Sequence, residues 1–171
     1  MGFKIREARL TDLDAAAGVR ARCWRESFTG VLPESVLDNA DAWAPEMAQR
    51  WGSEMIDRGT TYWLGVDADA GGEIVGIAHA DAAFEADAPA SLELKTLYVL
   101  KRAKGTGLAT ALLHRAVGED VPAYLWVIEG NDRAIAFYRK HGFEADGAVR
   151  DIQPGWPGGR QVRMVRPGGR G

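Results

Sequence analysis

Apolar and polar residues change period several times along the 171-residue chain, and each change marks an element. Phe3 to Ala8 alternates apolar with charged residues, the period-two pattern of a half-buried strand. The period then lengthens. Ala15, Val19 and Cys23 recur at four-residue steps, which predicts a helix to about Phe28, ended by Gly30 and Pro33, with Thr11 and Asp14 at the spacing of a capping box. A second helical stretch covers about Glu34 to Asp57, interrupted near Pro45. Its stripe of Trp43, Met47, Trp51 and Met55 has the pattern of core packing, and its tryptophans would also suit a substrate wall. Thr61 to Val66 and Glu73 to Phe84 read as strands joined into a hairpin by DADAGG, followed by the polar loop Glu85 to Ala90. Leu92 to Val99 returns to period two, with Leu92, Leu94, Thr96 and Tyr98 on one face and Glu93, Lys95, Leu97 and Val99 on the other. Ala109, Leu112, Leu113 and Ala116 give the i, i+3, i+4, i+7 pattern of a helix that Gly118 and Pro122 end. Ala123 to Ile128 is unbroken apolar sequence, as in a central strand covered on both faces. Asn131 then caps a helix to about His141, which Gly142 stops. Phe143 to Ile152 and Gln161 to Val165 are the last strands, around the loop QPGWPGG, and residues 166–171 are expected to fray.

This order predicts an α/β (α+β) fold, a mixed sheet with helices packed on it. The crossover from the Leu92 strand to the Ala123 strand through a helix is a βαβ unit. Its parallel pair should bind ligand beyond the strand carboxyl ends. No repeat or linker breaks the pattern, so one domain over 1–171 is expected.

Composition narrows the function. The formal charge is −3 and no long basic run occurs, which argues against a nucleic-acid partner. Cys23 is the single cysteine, so no internal disulfide or cysteine metal cluster forms; it reads as a buried, inert thiol. His79, His114 and His141 lack ligand spacing, so no metal is expected. No apolar run is long enough to cross a membrane, and MGFKIREARLTD is too charged for a signal peptide. A cytoplasmic location without a membrane partner is expected.

The chemistry concentrates in Leu97 to Leu113, LYVLKRAKGTGLATALL: a strand end, a basic glycine loop and a helix start. Glycines let a backbone approach an anion, and the free N–H groups of a helix start bind it. A Walker loop fails because Leu108 follows Gly107, and a dinucleotide fingerprint fails because Thr110 stands where the third glycine belongs. The stretch resembles the acetyl-CoA signature of the GNAT superfamily of N-acetyltransferases: Arg or Gln, two residues, Gly, one residue, then Gly or Ala, after a strand that often reads LYV. Arg102, Gly105 and Gly107 meet it, and this register is preferred. A second register, Lys104, Gly107 and Ala109, puts lysine where the planar fork of arginine belongs. LWVIEGNDRAIAFYRKHGF is similar to the family's next strand and helix through Asn131, Ala134, Tyr138 and the Gly142-Phe143 ending. IREARLTDLDA and CWRESFTGVLP resemble it more loosely, so the likeness spans nearly the whole chain.

The resemblance implies a mixed, mostly antiparallel twisted sheet of about seven strands with a central parallel pair, flanked by about four helices. It implies acetyl-CoA as co-substrate, with the pantetheine arm near the main chain of Leu97, Tyr98 and Val99. The pyrophosphate would rest on the loop of Arg102, Lys104, Gly105, Thr106, Gly107, Leu108, Ala109 and Thr110. Asn131, Ala134 and Phe137 would also touch the coenzyme, and Tyr138 would both touch it and protonate the departing thiolate. Glu93 is the leading general base, with Glu129 or a water chain in reserve. Trp24, Glu26, Phe28, Glu85 and Trp156, with Asp87, would build the site of a small-molecule or peptide amine. A homodimer is compatible with the family. The expected function is acetyl transfer to a primary amine; the alternative is an acyl-CoA-binding sensor that transfers nothing.

Overall fold

A computed structural model of the chain describes residues 2–152 and 159–169. Its elements are β1 (Phe3–Glu7), α1 (Leu13–Phe28), α2 (Glu34–Ala42), α3 (Ala44–Arg58), β2 (Trp63–Asp67), β3 (Glu73–Ala82), β4 (Leu92–Val99), α4 (Leu108–Ala116), β5 (Ala123–Ile128), α5 (Asp132–Lys140), β6 (Glu144–Asp151) and β7 (Arg160–Arg166). The seven strands form a mixed sheet in the order β1-β2-β3-β4-β5-β7-β6. The β4–β5 pair is parallel, with Glu93 opposite Tyr124 and Leu94 opposite Leu125. β1–β2, β2–β3, β5–β7 and β6–β7 are antiparallel.

The predicted sheet and its central parallel pair are therefore present, and the helices number five rather than about four among the described residues. The second helical stretch is two helices. Pro45 opens α3 near its first position, where its missing N–H costs nothing, and the break falls at Trp43.

The chain gathers into two compact units, Met1–His79 with Thr96–Ala116, and Ala80–Lys95 with Val117–Gly171. In the first, α1, α3 and α4 bury Leu13, Ala16, Ala17, Cys23, Trp51, Leu108 and Leu112 with Leu64, Val75 and Ile77 of the sheet. Trp51 is 4% exposed and lies 5.3 Å from the Tyr62 ring, with Met47 and Met55 packed on the same core. Met47, Trp51 and Met55 of the stripe are thus core packing, not a substrate wall. Two strand glycines bring α4 close to the sheet. A Cβ on Gly65 would lie 2.9 Å from Leu108 Cδ2, and one on Gly76 would lie 2.9 Å from Leu112 Cδ1 and 3.2 Å from the Tyr98 carbonyl oxygen.

The start of α1 differs from the expected capping box. A short 3-10 turn, Leu10–Asp12, precedes it, and Asp12 stands at the N-cap of α1 with no side-chain bond to that helix, its side chain closing the turn instead. Its carboxylate accepts the Arg9 N–H at 2.7 Å and the Arg6 guanidinium at 2.7 and 2.9 Å. Chiefly through Arg6, these bonds hold the Asp12 carboxyl below its ordinary range, against the opposing effect of burial. Cys23 is buried in α1, and burial pushes its thiol up to about 12, which makes it inert as expected.

In the second unit, Ala123, Tyr124, Leu125, Phe143 and Met164 are buried. Arg166, expected to begin a frayed tail, is instead the last residue of β7 and 4% exposed. Its guanidinium donates to the carbonyls of Val121 at 2.9 Å and Gly118 at 2.8 Å, and lies 4.8 Å from the centre of the Phe143 ring. β6 is almost wholly exposed and its register shifts between Ala145 and Val149. Among the described residues no group of three or more His, Cys, Asp or Glu could hold a metal ion, and no helix is long and apolar enough to cross a membrane.

Candidate active site

In the first unit the site begins where β4 ends. Leu97 and Tyr98 are half-buried and Val99 is buried. Leu100 donates its N–H to the Val75 carbonyl at 2.9 Å, and a single 3-10 turn, Lys101–Ala103, leads into the glycines. Gly105 and Gly107 have φ of 78° and 87°, the left-handed region that disfavours side chains, and a Cβ on either would meet no atom within 4 Å. The glycines are required by backbone conformation, and the space over them is open. Thr106 closes the loop on itself: its hydroxyl donates to the Ala103 carbonyl at 2.6 Å and accepts the Leu108 N–H at 3.4 Å. Ala109 and Thr110 lie in the first turn of α4, whose leading amides have no partner within a helix. This is a backbone surface suited to a pyrophosphate.

The basic residues divide. Arg102 NH1 donates to Asp67 at 2.6 Å and NH2 to Glu73 at 2.7 Å. The Arg102 hydrogen bond first, with the Asp69 and Ala70 amides and the Arg102 charge, holds the Asp67 carboxyl below its ordinary range against the opposing effect of burial. Lys104 Nζ has only the Ser27 hydroxyl at 3.3 Å as its hydrogen-bond partner among the described residues. The preferred motif register therefore opens on an arginine already held by carboxylates, and the second register opens on a lysine beside a neutral group.

In the second unit, Glu93 is 8% exposed, with its Oε2 3.3 Å from the Tyr124 hydroxyl and 3.5 Å from Lys95 Nζ. Burial first, then the charges of Glu93 and Glu85, raises the Tyr124 phenol well above its ordinary value, so it stays protonated and donates to Glu93. Sequence reasoning missed Tyr124, since its place opposite Glu93 depends on the register of a parallel pair 31 residues apart. Asn131 is the N-cap of α5, and its side chain accepts the Ala134 N–H at 3.4 Å. Tyr138 is 8% exposed and meets Phe137 edge-on at 5.4 Å and Phe143 at 5.9 Å.

Residues 22–143 match the model of the Acetyltransferase (GNAT) family. The chain belongs to this family of acetyltransferases. A probable N-acetyltransferase of Mycobacterium tuberculosis is 28% identical over 161 residues, which cover 89% of this chain and 86% of that protein. Among solved structures, the PaiA N-acetyltransferase of Thermoplasma acidophilum in complex with coenzyme A superposes with a TM-score of 0.71 at 17% identity, covering 97% of this chain and 99% of that one. A GNAT superfamily phosphinothricin acetyltransferase of Sinorhizobium meliloti in complex with AcCoA has a TM-score of 0.65 at 25% identity, covering 100% of this chain and 91% of that one.

For a GNAT member the acidic acceptor candidates have unexpected partners. Glu26 accepts the Lys101 N–H at 2.7 Å, which ties α1 to the glycine loop. Glu85 receives Arg150 at 2.8 Å and the Trp126 indole at 3.1 Å. Asp87 receives Arg163 at 3.0 Å. Glu129, the reserve base, is exposed and held by both ends of the Arg160 fork at 2.9 and 3.0 Å. None of the four is an uncommitted carboxylate. The aromatic candidates differ. Trp24 meets Phe28 edge-on at 5.4 Å, lies under Arg20 at 4.8 Å, and buries an Nε1 that has no hydrogen-bond partner among the described residues. Trp156 lies outside the described residues.

Proposed function

We propose that this GNAT protein transfers an acetyl group from acetyl-CoA to a primary amine of a small molecule or peptide by direct attack of the amine on the thioester. The observation that carries the reading is the Gly105–Gly107 loop: two left-handed glycines under open space, leading into the first-turn amides of α4, which point out of the helix start. Those amides fit a pyrophosphate, and the complexes of related acetyltransferases with coenzyme A and AcCoA support that ligand.

The acetyl thioester supplies the group that is transferred. The chain supplies the rest. The loop amides from Gly105 to Thr110 hold the phosphates, and Asn131, Ala134 and Phe137 contact the coenzyme. A lysine-like amine has a pKa of about 10.4, so presenting it neutral near pH 7 costs roughly 4–5 kcal/mol. Glu93, which accepts the Tyr124 hydroxyl and lies beside Lys95, is the base that lowers this cost, directly or through water. Tyr138 donates the proton to the departing thiolate. Trp24 offers its unpaired indole N–H to the acceptor.

The test is release of free thiol from acetyl-CoA across a panel of small-molecule and peptide amines. Turnover on any amine, lost in Gly107→Glu together with coenzyme binding, supports the reading. Tight coenzyme binding without turnover on any amine would make the protein an acyl-CoA sensor instead.

A further inference from the structure

The β2–β3 hairpin reaches the glycine loop through one buried carboxylate. Asp67 is the last residue of β2 and 4% exposed. Its Oδ1 accepts the amides of Asp69 at 3.1 Å and Ala70 at 3.3 Å, shaping the hairpin turn, while its Oδ2 takes Arg102 at 2.6 Å. One side chain thus holds both the turn and the residue three positions before Gly105. Glu73 takes the other end of the Arg102 fork at 2.7 Å, and its second oxygen lies 3.7 Å from Arg22. Two guanidiniums and two carboxylates cancel, so the cluster offers a phosphate no net charge. Ala103, the next residue, is fully buried, so the 3-10 turn is fixed from both sides. Beyond it the hydrogen-bond partner of Lys104 among the described residues is the neutral Ser27 hydroxyl.

We propose that Asp67 is a positioning residue for the coenzyme loop: with Glu73 it draws Arg102 onto the β2–β3 hairpin, which sets the loop backbone for phosphate and leaves Lys104 as the side-chain cation. The proposal rests on the acetyl-CoA reading above. Arg102 then acts on the ligand only through the loop that it anchors, and the motif's charged contact belongs to the register of Lys104, Gly107 and Ala109. Holding the loop in its binding shape removes an ordering cost from coenzyme association.

The experiment compares Asp67→Asn, Arg102→Met, their double variant and Lys104→Met. Asp67→Asn keeps the Oδ1 acceptor for the turn amides and removes the charge that holds Arg102. The readouts are coenzyme A affinity by calorimetry at two salt concentrations, and kcat and KM for acetyl-CoA. Asp67→Asn and Arg102→Met are each expected to weaken coenzyme A about tenfold, with kcat at saturation kept within about twofold. The double variant should be no weaker than the worse single, because both break one contact. Lys104→Met should reduce the salt dependence of binding, and Arg102→Met should not. Additive losses, wild-type affinity in Asp67→Asn, or a salt dependence lost in Arg102→Met would overturn the proposal, the last by making Arg102 a phosphate ligand. If Asp67→Asn does not fold, Glu73→Gln paired with Arg102→Met completes the same cycle. A wild-type protein that bound no coenzyme A would overturn the acetyl-CoA reading itself, an outcome distinct from any variant's.

Discussion

Tyr138 packs edge-on against Phe137 and Phe143 at the end of α5, so removing its hydroxyl leaves the ring contacts in place. Tyr138→Phe should therefore cost no more than about 1.5 kcal/mol in urea unfolding, the net worth of a single hydrogen bond. If the phenol protonates the leaving thiolate, kcat should fall about tenfold or more with coenzyme affinity kept. Gly107 carries the opposite kind of constraint. With φ at 87° and open space around it, Gly107→Ala meets no atom but must adopt a left-handed backbone, at a cost of about 1–2 kcal/mol in a denaturant melt. Asp12 gives a pH test. Its carboxyl is held below the ordinary range in the folded state, chiefly by Arg6, so its contribution is complete above the unfolded carboxylate pKa. That contribution drains away as pH falls through the folded value. Asp12→Asn should be less stable than wild type by about 1 kcal/mol near pH 7, and urea midpoints of the two proteins should converge in acid.

Among the elements, α4 depends most on its neighbours. Leu108 and Leu112 sit over Gly65 and Gly76, so methyl groups there push the helix off the strands that support the loop. Gly76→Ala should cost about 1–3 kcal/mol and more than Gly65→Ala, since it also meets the Tyr98 carbonyl, which cannot rotate aside as a leucine tip can. Chemical denaturation of the two variants orders them. Elements of this kind were legible in the chain wherever periodicity was strong. β4 and β5 fall at the predicted residues, α1 ends at Phe28, and Asn131 caps α5 as expected. What was not legible required tertiary pairing. The turn that Asp12 closes needs Arg6 on the preceding strand, and the break before Pro45 depends on where proline loses nothing. The same holds within the candidate site. Glycine spacing marked the loop, but nothing local shows that Arg102 is claimed by Asp67 from 35 residues away. Nor does local sequence show that Glu26, Glu85 and Asp87 already have partners. Composition counted those acids as available for an amine; the fold has spent them on a main-chain amide and two arginines.

For the molecule as a whole, Cys23 has a use that follows from its position. The thiol is 3% exposed within the core of the first unit, and burial pushes it up to about 12. A colorimetric thiol reagent added to follow coenzyme release should therefore see almost no protein background while the fold is closed. In an unfolded chain the same thiol returns to about 8.5 and reacts freely. Its labelling rate in native buffer, divided by the rate in denaturant, counts how often the core opens. Any ligand that seats on the first unit and steadies it should slow that clock, so coenzyme binding can be weighed by a reaction at a residue that never touches the coenzyme.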